Sequence, residues 1–155
     1  MTTSTQLERW GRLHIPHFAG VYSSDGLPTH PSGNFRMVVN FDPSDMPGSH
    51  WLGIILRSDG TGEFFDSYGV AADGDGAFLH SKFHTSFARY MDAHCHKGWT
   101  FNRWDLQSMH TKTCGQYVLW FGRYGGGPET APEAWLWATE DTDRNDALIQ
   151  KLVVV

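Results

Sequence analysis

The sequence predicts an α+β fold, a mostly antiparallel sheet packed on a helix that opens with a cysteine. Three stretches carry that expectation. His50 to Leu56 is an apolar run of strand length, Ser58-Asp59-Gly60-Thr61-Gly62 supplies turn residues, and Glu63 to Tyr68 follows as a second strand, so the pair reads as a β-hairpin. Phe35 to Phe41 alternates Phe35, Met37, Val39 and Phe41 against Arg36, Val38 and Asn40, the period of a strand. From Gln107 to Tyr124 a polar, β-branched stretch gives way at Cys114-Gly115 to a strongly apolar one, the pattern of a loop that delivers a cysteine to the first turn of a buried helix.

The remaining elements follow in chain order. Gln6 to His14 places Leu7, Trp10 and Leu13 on one helical face. Pro16, Asp25-Gly26, Pro28 and Pro31-Ser32-Gly33 mark a long irregular connection, and Pro43 to Ser49 a loop. Ala71 to Gly76 is a further loop. Its Asp73-Gly-Asp75-Gly looks like the start of a calcium loop, but Ala77 takes the third acidic position and no Glu closes it, so that reading is rejected. Ala77 to Cys95 carries Leu79, Phe83, Phe87, Tyr90 and Met91 at helical spacing, and Gly98 ends the region. Trp99 to Leu106 reads as a strand. The helix from Cys114 stops near Gly125-Gly126-Gly127-Pro128. The tail holds Pro132 to Trp137, a polar break, and Asp146 to Val155, whose last Leu-Val-Val-Val suits a helix end or a strand equally.

At 155 residues the chain is read as one domain, 1–155, long enough for a real core. Apolar residues make up 40% and aromatic residues 14%, which excludes a disordered class. A formal charge of −5 argues against broad nucleic-acid binding by phosphate neutralisation. Two cysteines, Cys95 and Cys114, make no disulfide framework and suit a reducing compartment. No signal pattern opens the chain, and no apolar run approaches the roughly 18 residues of a membrane span. The expectation is a soluble intracellular domain.

Chemistry concentrates on a set in the order His, acid, Cys. Unpaired N–H groups at a helix start favour negative charge, hence a thiolate at Cys114. Gly115 allows close backbone approach by a substrate. Gln107, upstream of Cys114, offers a neutral amide to a developing oxyanion. The hairpin brings His50, at the start of one strand, near Asp66, at the end of the next. His50 is then a base for Cys114, with Asp66 as its orienter and Trp51 as a wall that fixes the ring and excludes water. Taken singly, Cys114 reads as a buried small hydrophobe, His50 as a surface or capped histidine, Asp66 as a strand end and Gln107 as a solvated loop residue. His110 also competes as base, being nearer Cys114 in sequence. A zinc site from His80, His84, His94, Cys95 and His96 is a further reading, weakened by the absence of paired Cys spacing, and no metal is expected.

His50-Trp51, then Phe64-Phe65-Asp66-Ser67-Tyr68-Gly69, then Gln107 seven residues before Cys114-Gly115, resembles the adenovirus protease (adenain) family and the wider group of SUMO-specific proteases. Phe18-Ala-Gly-Val-Tyr22 with Gly26-Leu-Pro28 adds to the resemblance, which spans Phe18 to Phe121 and leaves residues 128–155 unmatched. Asp66 matches the SUMO proteases; mammalian adenoviral enzymes carry Glu there. The resemblance implies a papain-like cysteine protease core with a Cys114-His50-Asp66 triad and an oxyanion hole from Gln107 and the Cys114 N–H. It implies a cysteine endopeptidase that cleaves after Gly-containing sequences in viral capsid or core precursors, or an isopeptidase acting on ubiquitin-like proteins. It further implies an activating viral peptide held through a disulfide, for which Cys95 lies near the matching position, and a host nucleus or virion as location. No cofactor is otherwise required. The rival class is a protease-like module that binds a protein partner without cutting it.

Overall fold

The computed structural model describes residues 1–45, 48, 50–69 and 81–155, with the backbone alone for 81–86. Helix α1 (Ser4–His14) is followed by strands β1 (Phe18–Tyr22), β2 (Phe35–Asn40), β3 (Trp51–Leu56) and β4 (Gly62–Phe65). Then come helix α2 (Ser81–His94), strand β5 (Trp99–Phe101), helix α3 (Cys114–Tyr124), a short 3₁₀ turn (Pro132–Trp135) and helix α4 (Thr142–Leu152). The five strands form one sheet in sequence order. The central pairs, β2 with β3 and β3 with β4, are antiparallel. Both edge strands pair parallel, β1 with β2 and β5 with β4, so the sheet is mixed at its rims. Each parallel pairing follows a long connection, as a parallel pair requires.

Helices cover both faces of the sheet, and side-chain alternation sorts the core accordingly. Val38, Trp51, Ile55 and Phe65 pack with α1, α3 and α4 through Leu7, Trp10, Tyr117, Val118, Phe121 and Ile149. Met37, Val39, Leu52, Ile54, Leu56 and Phe64 face the other way onto Phe87, Met91 and Cys95. Strand β3 is buried along its whole length, which explains its unbroken apolar run.

The expected elements are present with shifted ends. Thr3 caps α1 through a capping box with Gln6, starting that helix before Gln6. The strand expected over Trp99 to Leu106 stops at Phe101. Asn102 ends it, its amide donating to the carbonyls of Asp66 and Trp104 while its Oδ1 accepts from the Trp104 N–H. At the C-terminus Leu152 ends helix α4 and Val153 to Val155 lie beyond it in no regular element, while the helix begins at Thr142, where the Asp141 side chain accepts from the Arg144 N–H as cap. Strand β1 lies inside the region read as irregular, and its register on β2 shifts between Phe18 and Gly20. The rejected calcium-like loop, Leu79, His80 and the side chains of Phe83 and His84 lie outside the described residues.

Candidate active site

Three elements deliver the site. The β2–β3 ladder continues past Trp51, where the Phe41 N–H donates to the His50 carbonyl over 2.8 Å, fixing the backbone of His50. Asp66 directly follows β4 and opens a tight turn closed by the Gly69 N–H on its carbonyl at 2.9 Å. Helix α3 begins at Cys114. Its cap residue Thr113 makes no side-chain capping bond, so no side chain of its own blunts the positive end of the helix.

His50 Nε2 lies 2.9 Å from Asp66 Oδ1, with both side chains buried. The same oxygen accepts the Tyr68 N–H at 2.9 Å. Asp66 Oδ2 is, among the described residues, the buried side-chain polar atom without a hydrogen bond. Cys114 lines the same cleft and is among the groups that raise the imidazole pKa, and Nδ1 is the ring nitrogen not engaged by Asp66. Burial alone would lower the His50 pKa. The Asp66 carboxylate, its hydrogen bond and the Cys114 side chain outweigh that, and the ring is pushed up to about 10.

Gln107 is buried and gripped from two sides. Its Oε1 accepts from the Ser67 hydroxyl at 2.6 Å, and its Nε2 donates to the Thr111 carbonyl at 3.1 Å. The Ser67 carbonyl also receives the Leu106 and Gln107 N–H groups, docking this stretch on the Asp66 turn. A cleft of about 220 Å³ opens among His50, Tyr68, Gln107, Thr111, Lys112 and Cys114.

The structure thus brings His50, Asp66, Gln107 and Cys114 together. It seats the other expected residues differently. The ring stacked on His50 is Tyr68, at 5.1 Å and 20°. Trp51 lies in the core, with its indole N–H donating to the Thr2 carbonyl at 2.8 Å. Gly115 faces the amino-terminal segment, and a Cβ there would meet Thr2 at 3.0 Å and Leu7 at 3.2 Å. Cys95 is buried on the α2 face, its thiol pushed up chiefly by that burial. His110 is exposed and does not line the cleft. Among the described residues no three His, Cys, Asp or Glu side chains gather as metal ligands, and no helix is long and apolar enough to cross a membrane. Ser67 and Tyr68 are the site residues that residue-type reasoning missed. Their one sequence signal is position, directly after the acid of a hairpin.

No protein-family model matches this chain, and no curated protein does. Among solved structures, the crystal structure of the ASFV pS273R protease is similar, with a TM-score of 0.50 and 16% identity over 94% of this chain and 63% of that one. Its selenomethionine form gives a TM-score of 0.49 and 21% identity over 81% and 46%. The chain therefore spans less than two thirds of the solved proteins it matches. The likeness is one of fold, the sheet-and-helix arrangement of a protease structure.

Proposed function

We propose that this chain is a cysteine peptidase. The observation that carries the reading is the buried contact of Asp66 Oδ1 with the His50 ring, in a cleft that Cys114 and Gln107 also line. Cys114 Sγ attacks the scissile carbonyl as thiolate, beside a cationic His50 and at a helix start. The tetrahedral oxyanion takes the free Nε2–H of Gln107 and the Cys114 backbone N–H. His50 gives its proton to the leaving amine as the C–N bond breaks, leaving a thioester. Water, deprotonated by His50, then attacks that thioester and releases the acid and the thiol. Asp66 holds the ring and its charge throughout.

The substrate is a protein segment with small residues, Gly foremost, before the cut. The cleft is small, about 220 Å³, and Tyr68 and Lys112 line it together with the nucleophile. Capsid or core precursors and ubiquitin-like tails both present such Gly-containing segments. An activating peptide linked through Cys95 would need that buried thiol to become accessible. The test is a fluorogenic peptide library varied at the two positions before the scissile bond, read with the native chain and with Cys114→Ala. Turnover that needs Cys114 and favours Gly is the expected result. Preference for bulky residues refutes the specificity, and turnover by Cys114→Ala refutes the mechanism.

A further inference from the structure

Resting on that reading, we infer that Asp146, on α4, is a positioning residue that aims the oxyanion donor Gln107. Asp146 is 4% exposed, and among the described residues no Lys or Arg pairs with it. A buried carboxylate in that state is tolerated only through hydrogen bonds. It accepts four. Tyr117 Oη at 2.6 Å and Thr113 Oγ1 at 3.0 Å reach Oδ1, while Thr111 Oγ1 at 2.8 Å and the Ser108 N–H at 3.1 Å reach Oδ2.

All four donors lie on one stretch, the loop that follows Gln107 and the first turn of the helix that starts at Cys114. The path to the amide is short. Asp146 holds the Thr111 hydroxyl, and the Thr111 carbonyl holds Gln107 Nε2 at 3.1 Å. One N–H of that amide is thereby tied down, and the other is left in a set direction. Ser67 fixes the opposite end of the amide, so the two grips together exclude the flipped orientation, in which the amide oxygen would meet the oxyanion. The neighbouring Asn145 secures the start of the loop, donating to the Leu106 carbonyl at 3.2 Å. Helix α4, outside the sequence motifs of the site, is therefore the support of the oxyanion side of the site. Apolar side chains would fill this space at less cost in desolvation. A carboxylate adds direction, because each of its bonds fixes one loop atom.

The experiment measures kcat and KM for a Gly-containing fluorogenic peptide in Asp146→Asn, Gln107→Ala and the double variant, with the rate of Cys114 alkylation by iodoacetamide as a second readout. An Asn side chain keeps one acceptor and replaces the other with a donor, so it cannot accept from all four groups that the carboxylate holds. Misplacing a reacting group by about 1 Å costs up to about a hundredfold, so Asp146→Asn should lower kcat by about ten- to a hundredfold with KM nearly unchanged. Alkylation, which develops no oxyanion, should keep its rate. In the Gln107→Ala background the same substitution should cost less than about twofold, because residues acting through one group are not additive. Full additivity, or slowed alkylation, overturns the proposal. Should Asp146→Asn not fold, Thr111→Val removes one link of the path without touching the buried charge, and it should show the same kcat loss, absorbed by Gln107→Ala. A kcat loss in Gln107→Ala with none in Asp146→Asn or Thr111→Val overturns the positioning role and leaves the peptidase standing. A native chain that alkylates at Cys114 yet cleaves no peptide overturns both.

Discussion

The Ser67 hydroxyl donates to Gln107 Oε1 over 2.6 Å, and this contact decides which end of the amide faces the cleft. Removing the amide altogether takes away one oxyanion donor, a loss that typically lowers kcat by about 10²–10³. Gln107→Ala should show that loss with little change in KM, since the interaction strengthens only in the transition state. Ser67→Ala should show a smaller loss of the same kind, because the amide remains but can turn over. Steady-state kinetics of the two variants checks both, and a raised KM with normal kcat would mark Gln107 as a ground-state contact instead.

The two cysteines should separate under limiting iodoacetamide. Cys114 sits at a helix start beside a charged imidazole and lines an open cleft. Cys95 packs against Gly62, where a Cβ would collide with its Sγ, and burial holds its thiol up. Peptide mass spectrometry should find Cys114 modified first, in step with loss of turnover. Early modification of Cys95 with activity retained contradicts the assignment.

The histidines divide by geometry. His50→Ala should abolish turnover and leave the fold intact, whereas His110→Ala, on an exposed side chain, should cost little. Asp66→Asn should cost several orders of magnitude, since an amide cannot hold a cationic ring and favours the wrong tautomer. Kinetics together with a melting curve for each variant separates lost chemistry from lost structure.

The pH profile follows from the sign of the His50 shift. With its pKa raised to about 10, the ring keeps its proton through the neutral range. Activity that needs this proton for the leaving amine should persist well above pH 7 and fall as pH rises through about 10. The same shift contributes stability that is complete below about 6.5, the ordinary value, and is lost as pH passes the raised one. Asp66→Asn removes the main raising group and leaves burial, so the alkaline limb of residual kcat/KM should move down. An alkaline limb near 6.5 in the native chain, or one that does not move in the variant, refutes this electrostatic account.

An apolar run of strand length and the turn chemistry after it made the hairpin legible, and with it the approach of His50 to Asp66. The change of composition at Cys114 likewise placed a helix start. What stayed hidden depends on distant partners. Strand β5 ends where it does because Asn102 reaches the Asp66 carbonyl, 36 residues away in sequence. Ser67 matters because of Gln107, and Asp146 because of Thr111 and Tyr117. None of those pairings leaves a periodic trace. Trp51 looked like the wall of the site by adjacency, yet neighbours on a strand point to opposite faces, so the residue next to His50 turns into the core.

Gly53 links the core to the site. A Cβ at this position would lie 2.6 Å from Phe121 Cδ2 and 3.3 Å from Val118 Cγ1, both on α3. Glycine therefore lets the helix that begins at Cys114 settle directly on the strand that begins beside His50. The Phe121 ring has little freedom to yield, since it stacks on Phe65 at 4.7 Å and 18°. Phe65 in turn packs on Trp135 at 5.6 Å. Gly53→Ala must then push α3 away from β3 or force the ring off its rotamer. Overpacking of this kind typically costs about 1–3 kcal/mol. For a chain of this size that lowers Tm by roughly 2–12 °C. Because the displaced element carries Cys114, kcat should fall more steeply than stability alone requires, with the variant still fully folded at the assay temperature. Cys114 alkylation should slow as well, since the thiol moves away from His50. A variant with native Tm and native kcat would show that the close approach of β3 and α3 is incidental to the site.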